Sequence, residues 1–330
     1  MKPRKTLSSG CAGGRVRECA GGALTPNQPV GTGLAHSRTR LLDHPPQSGK
    51  AHTESVRVKA LRWPAFICFL ALVLVRYAAA QTPVAPPAGL VSWWPGDEDA
   101  HDIVGGHHGT LENGATYAKG MVGPAFSLDG VDDFVRVPSS PALNPKHSFS
   151  IDAWIFPTAG GFFHIVAKWG DGGSWGGERA YSFHTLTGMG LRFAISDDEN
   201  QGNAGYHDFD TPSNVTRLST WNFVACVYDQ PTGARRIYVD GAQVAERVDP
   251  PITVKDSVAD LGIGAHLGAP NAFDCVFPGL IDEVEIFNRS LSTSEIRTLF
   301  QAGSAGKSKR SPPKSTQDLV TWVQRLRMER

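Results

Sequence analysis

The chain has 330 residues and a formal net charge of zero, but that zero hides three blocks of opposite sign. Residues 1–88 carry 12 Lys/Arg against 3 Asp/Glu, residues 89–303 carry 13 against 27, and residues 304–330 carry 7 against 2. The acidic middle block would repel a phosphate backbone, which excludes nucleic acid as a partner despite the basic flanks.

In chain order, residues 1–55 are rich in Gly, Ser, Pro and Arg, show no apolar periodicity, and are expected to be a disordered basic segment or a mis-assigned start. Residues 56–80 then read as a signal peptide. Arg57, Lys59 and Arg62 form the positive region, Ala65 to Val75 is an unbroken apolar run, and Ala78-Ala79-Ala80 suits cleavage before Gln81. That run is too short to cross a hydrocarbon core, which needs about 20 residues, so no stable span remains after cleavage. The alternative is an uncleaved anchor reaching from Trp63 to Ala80. Either way the folded part is expected outside the cytoplasm, secreted, periplasmic or at the cell surface.

Residues 81–88 form a Pro-rich linker. From Gly89 onward, short apolar runs are broken by Gly, Asp and Asn turns, and six of the eight Trp fall in 89–303. The expected strands include Leu90–Trp94, Phe134–Val137, Ser148–Phe156, Tyr181–Thr185 with Leu191–Ser196 around Gly188-Met189-Gly190, and Trp221–Asp229. Ile237 to Glu246 is a hairpin with an Asp-Gly turn. In FPGLIDEVEIFNRSLSTSEIRTLF, Leu280 to Phe287 alternates, placing Leu280, Asp282, Val284 and Ile286 on one face and Ile281, Glu283, Glu285 and Phe287 on the other. Ser292 with Glu295 then makes a capping box for a short helix. This pattern argues for an antiparallel sandwich in 89–303, with 304–330 a basic flexible tail holding a short helical stretch. Of five cysteines only Cys226 and Cys275 lie in the folded block; secretion permits a Cys226–Cys275 bridge, but Cys226 sits in the apolar run FVACVY, where a free buried thiol is the competing reading.

The segments GLVSWWPGD, HHGTL, FSLDGVDDFVRVP, FSIDAWIFP, TWNFVACVYD, RRIYVDGAQVA and FPGLIDEVEIFNRSLSTSEI, in that order, resemble the landmarks of laminin G-like jelly-roll domains of the concanavalin A-like lectin/glucanase superfamily. The resemblance implies an all-β, two-sheet antiparallel jelly-roll sandwich that serves mostly for binding, often with a calcium ion. Calcium takes six to eight oxygens, and the resemblance points to Asp282 with Asp97 or Asp102; Asp129 and Asp132 in the DGVDD turn are further oxygen donors. The competing reading is that these aspartates only close turns.

Sugars dock on aromatic rings flanked by polar groups. The Gly-rich loop after residue 167 offers Trp169, Asp171, Trp175, Glu178 and Arg179, and the next loop adds Tyr206 and His207. Trp169 also fits a core position at a strand end. The Glu-x-Asp-x-x-Glu pattern of glucanases is missing, so no catalytic residue is assigned. The sequence thus points to a non-catalytic module recognising a glycan or cell-surface protein with calcium support. A structural or adhesive module for protein contacts is the alternative, and a glycoside hydrolase the third reading.

Overall fold

The computed structural model of the chain describes residues 82–309, apart from 172, 173, 175 and 198–205. The expected signal peptide, the N-terminal segment and most of the basic tail lie outside these residues, as does Trp175. Among the described residues seventeen strands run in chain order. The first six are β1 (Leu90–Trp94), β2 (Thr110–Glu112), β3 (Thr116–Lys119), β4 (Pro124–Asp129), β5 (Phe134–Val137) and β6 (Phe149–Pro157). Then come β7 (His164–Trp169), β8 (Arg179–Thr185), β9 (Leu191–Ser196), β10 (Tyr206–Asp210), β11 (Asn222–Asp229) and β12 (Ala234–Val239). The last are β13 (Ala242–Val248), β14 (Leu261–Ile263), β15 (His266–Ala269), β16 (Ala272–Asp274) and β17 (Pro278–Phe287), followed by helix α1 (Thr293–Ala302).

Pairing is antiparallel throughout the two large sheets. One has eight strands in the order β13-β12-β11-β6-β17-β4-β3, with β1 also on β17; the other has seven, β10-β9-β8-β7-β14-β5-β2. The hairpin β15-β16 forms a small third sheet. This is the antiparallel sandwich that the strand pattern predicts, in the jelly-roll form that the laminin G-like resemblance implies. Alternating apolar side chains from both large sheets meet in one core. At its centre the Phe149 ring packs against Tyr181, Phe193 and Tyr228 at 5.3, 5.6 and 6.2 Å, contacts that add to the ~1.5–3 kcal/mol of burying each large apolar side chain.

The expected Asp-Gly turn joins β12 to β13, with Asp240 at φ 50° and Gly241 at φ 74°. A β-carbon on Gly241 would lie 2.9 Å from the Phe300 ring, so the turn needs glycine both for its backbone and for its neighbour. Ser292 caps α1, and Glu295 closes the capping box. The helix lays Ile296 and Leu299 on Trp154 and Phe223 in a second apolar cluster on the outer face of the eight-stranded sheet.

Strand β17 departs from simple alternation. Its register shifts between Asp282 and Glu285, and Glu283 adopts φ 54°. This bulge puts Ile281, Val284 and Ile286 together in the core, so Ile281 faces inward although strict alternation assigned it to the opposite face; a bulge inserts one extra residue and re-aims its neighbours. The linker and the start of the tail also meet: Val84 pairs with Lys307 as a parallel bridge, and Lys307 is buried.

The Cys226–Cys275 bridge does not form. Both cysteines are buried, and neither is in a disulfide. Cys226 turns into the core between the sheets, whereas Cys275 follows β16 and lies along β7, its carbonyl accepting from His164 N at 3.0 Å.

Candidate functional site

On β8 and β9 the residues Tyr181, Phe183, Phe193 and Ile195 face the core. The alternate positions, Ser182, His184, Arg192 and Ala194, therefore face outward. On this outer face of the seven-stranded sheet, β10 brings Tyr206 opposite Ser196, Asp208 opposite Ala194 and Asp210 opposite Arg192. Arg192 binds Asp210 through Nε and one terminal nitrogen, at 2.5 and 2.7 Å, and Asp208 through the other at 2.7 Å. The hydrogen bond to Asp210 holds this guanidinium above its ordinary pKa, with burial opposing and the two carboxylates assisting.

At the neighbouring end of the face Trp169 and Tyr206 meet edge to face, their centroids 5.9 Å apart at 75°. The Arg179 guanidinium lies 5.8 Å from the Trp169 ring and 5.4 Å from the Tyr206 ring, a cation–π arrangement. Arg179 Nε donates to Asp171 Oδ1 at 3.0 Å. The loop that carries Asp171 is pinned at its base, Gly170 N donating to Glu178 O and Asp171 N to Gly268 O, both at 2.9 Å. Two rings, a fixed guanidinium and a carboxylate thus converge on a half-buried surface.

Of the sugar-binding candidates, the structure gathers Trp169, Asp171, Arg179 and Tyr206. Trp169 lies at a strand end but packs on Tyr206 rather than in an apolar cluster. Glu178 turns away, accepting from Val258 N at 3.0 Å. His207 alternates to the other side of β10, with Nε2 3.2 Å from Asp197. Arg192, Asp208 and Asp210 were not singled out in the sequence. The alternation of LRFAIS was the available signal, since it turns Arg192 away from the core.

The calcium candidates separate by how their oxygens are used. Asp102 is committed to loop closure: Oδ1 accepts from Trp93 N, Val104 N and Gly105 N at 2.9, 2.9 and 3.0 Å, and Oδ2 meets His107 N and Nδ1, both at 3.0 Å. Burial works against its charge, but these amides hold its pKa below the usual value. Asp129 Oδ1 accepts from Val131 N and Asp132 N at 2.7 and 3.2 Å, an Asx turn. Asp129, Asp132 and Asp133 each have an oxygen within 4.8 Å of the others, but Asp133 spends its two on Gly114 N and Asp129 N. Asp282 differs. Its Oδ2 accepts from Met121 N and Val122 N, both at 2.8 Å, while Oδ1 is buried with no partner. Burial pushes its pKa up to about 8. Asp97 reaches the same turn, its Oδ1 lying 2.9 Å from where a β-carbon on Gly123 would stand, and pairs with Lys309.

A second acidic group occupies the outer face of the eight-stranded sheet. Asp152 on β6 is the cross-strand partner of Glu285 on β17, and Glu283 lies beside them. All three are buried. Lys307 reaches in, its Nζ 2.9 Å from Glu283 and 3.3 Å from Glu285, with the Trp93 ring 5.0 Å away. Burial raises Asp152 to about 7 and drives Glu285 well above the carboxylate range, Lys307 opposing both shifts. The carboxyls sit beneath the C-terminal segment, where no sugar ring can reach them.

No curated protein matches the chain. Among solved structures, it is similar to domain 4 of AbnA, a GH43 extracellular arabinanase from Geobacillus stearothermophilus, in complex with arabinotriose. The two share 19% identity and a TM-score of 0.47 over 64% of this chain and 98% of that one. It is also similar to the binding domain of Paraclostridial Mosquitocidal Protein 1, at 16% identity and TM-score 0.49 over 64% of this chain and 52% of that one. The binding domain of Botulinum Neurotoxin DC in complex with SialylT gives 16% identity and TM-score 0.49 over 65% and 52%. The chain thus spans about half the length of these toxin domains. Residues 129–297, half of the chain, match the family model of the concanavalin A-like lectin/glucanases, with its laminin G-type landmarks. By strand order, core and sequence, this chain belongs to the concanavalin A-like lectin/glucanases superfamily.

Proposed function

We propose that this protein is a secreted, non-catalytic saccharide-binding module that binds with the outer face of its seven-stranded sheet. The observation that carries this reading is the Trp169–Arg179–Tyr206 arrangement, with Asp171 fixing the guanidinium. Apolar sugar faces stack on aromatic rings, while guanidinium and carboxylate groups bond hydroxyls in pairs. Arg192 with Asp208 and Asp210 extends the polar lining along the sheet.

Hydrolysis would need an accessible carboxyl pair at about 5–5.5 or 6.5–9.5 Å. The paired carboxyls of Asp152 and Glu285 lie instead beneath Lys307, which supports binding without turnover. Calcium, implied by the family, fits at Asp282, whose buried Oδ1 has no partner, with Asp97 beside the same turn. There the ion would tie the first loop to the closing strand. Secretion rests on residues 56–80, and the N-terminus of the exported protein, read by mass spectrometry, tests it: a peptide from residues 1–55 would contradict cleavage.

The functional test is a glycan array probed with the full chain, with and without EDTA, alongside polysaccharide digestion assays. Binding to a family of related glycans without turnover is expected. Silence across the array favours a protein-contact module, and release of sugar overturns the non-catalytic reading. For calcium, adding the ion to EDTA-treated protein should raise Tm, and Asp282→Asn should abolish that rise.

A further inference from the structure

We propose that His164, His184 and His266 form a binding site for one first-row transition metal ion of the zinc class on the outer face of the seven-stranded sheet. His164 and His184 are cross-strand partners at the ends of β7 and β8, and His266 opens β15 beside them. The His164 ring lies 4.6 Å from that of His184 and 5.3 Å from that of His266. With metal–nitrogen bonds of about 2.0–2.1 Å, imidazoles sharing one ion have centroids roughly 5 Å apart. Convergence of the nitrogens is left to rotation of the rings on an unchanged backbone.

All three side chains are buried, at 5, 3 and 6% exposure, and each has a buried ring nitrogen without a hydrogen-bond partner: Nδ1 of His164, Nε2 of His184 and Nε2 of His266. A buried polar atom left without a partner is costly. Three such atoms, on His164 and the two rings beside it, call for a common partner, and an ion that accepts three lone pairs is one.

The surroundings suit an ion. Asp274 Oδ1 holds His266 Nδ1 at 2.7 Å, the carboxylate–histidine support usual behind a metal ligand. Asp171 Oδ2 stands 3.7 Å from His266 Nε2, so two carboxylates balance a divalent charge. The half-buried Phe162 ring packs 5.5 Å from His164 and 4.3 Å from His184 and covers the cluster. Imidazole donors favour zinc, copper, nickel or cobalt over calcium, which prefers oxygen, so this site is distinct in chemistry from the one at Asp282.

The test uses tag-free full-length protein, stripped with EDTA, dialysed and titrated with Co²⁺ while its visible ligand-field absorption is followed, then with Zn²⁺ in competition. One equivalent of Co²⁺ is expected to develop the band and Zn²⁺ to displace it. His164→Gln with His184→Gln should remove the band. Asp274→Asn, which keeps all three imidazoles, should weaken Co²⁺ about tenfold. Replacing the exposed pair His101 and His108 by alanine should change nothing. Absence of a band in the wild-type protein, or a band that survives the double substitution in a variant with native near-UV circular dichroism, would overturn the proposal. No saccharide enters the readout, so the result stands or falls separately from the glycan-binding reading.

Discussion

The outer faces of the two sheets treat charge in opposite ways. On the eight-stranded sheet, Asp152, Glu283 and Glu285 are buried together, and Lys307 reaches in as their cation. On the seven-stranded sheet, Arg192 meets two carboxylates and Arg179 meets one beside two aromatic rings, all at a partly exposed surface. A count of acidic residues would point to the first face as the chemical one. Burial and partners reverse that reading: the first face is an internal lock, and the second is available to a ligand.

The largest effect should come from breaking the lock. Lys307→Ala leaves three carboxyls buried without their cation, and removing one partner from a buried charge pair costs roughly 3–5 kcal/mol. Urea unfolding should show this loss; a midpoint unchanged from wild type would mean that the C-terminal segment does not seal the cluster.

The pH dependence of stability sharpens the same contrast. Asp152, facing Glu285, Glu283 and Lys307, has its folded pKa raised from 3.8 to about 7. Its contribution is therefore complete below 3.8 and is lost as pH rises through about 7. Across that window the unfolding free energy should fall by more than ~1 kcal/mol, and Asp152→Asn, which mimics the protonated form, should flatten the slope. Equal slopes in variant and wild type would show that Asp152 is ionised in the fold.

A smaller effect is expected where α1 covers the same sheet. Ser292→Ala removes the hydroxyl that accepts from Glu295 N and should cost about 1 kcal/mol. Arg289 and the cap hold Glu295 down at about 2, so stability from that carboxylate is present above 4.5 and lost only as pH falls toward 2. Thermal unfolding at neutral pH measures the first effect, and an acid titration of Glu295→Gln the second.

Much of the architecture was legible because it rests on local rules. The Asp240-Gly241 turn, the Ser292–Glu295 capping box and the alternation of β8 and β9 each follow from a few neighbouring residues. The bulge in β17 was not legible: Glu283 takes a positive φ because of its strand partners, and no glycine or proline marks the place. Lys307 was read as part of a flexible tail because its carboxylate partners lie more than twenty residues away in sequence. The same limit applies to the binding face. Trp169, Asp171 and Arg179 share one loop and could be grouped from the sequence, whereas Arg192 joins them only through sheet pairing, and His164, His184 and His266 come together only in the fold.

The most direct measurement compares the two faces in one assay, by titrating a glycan identified on the array into wild type, Trp169→Ala and Glu285→Gln and following affinity by calorimetry. Losing the ring should weaken binding about fivefold or more, since an aromatic stacking contact is worth about 1 kcal/mol, while Glu285→Gln should bind as wild type does. Undiminished affinity in Trp169→Ala, or a loss confined to Glu285→Gln, would place the ligand on the other sheet and contradict the assignment.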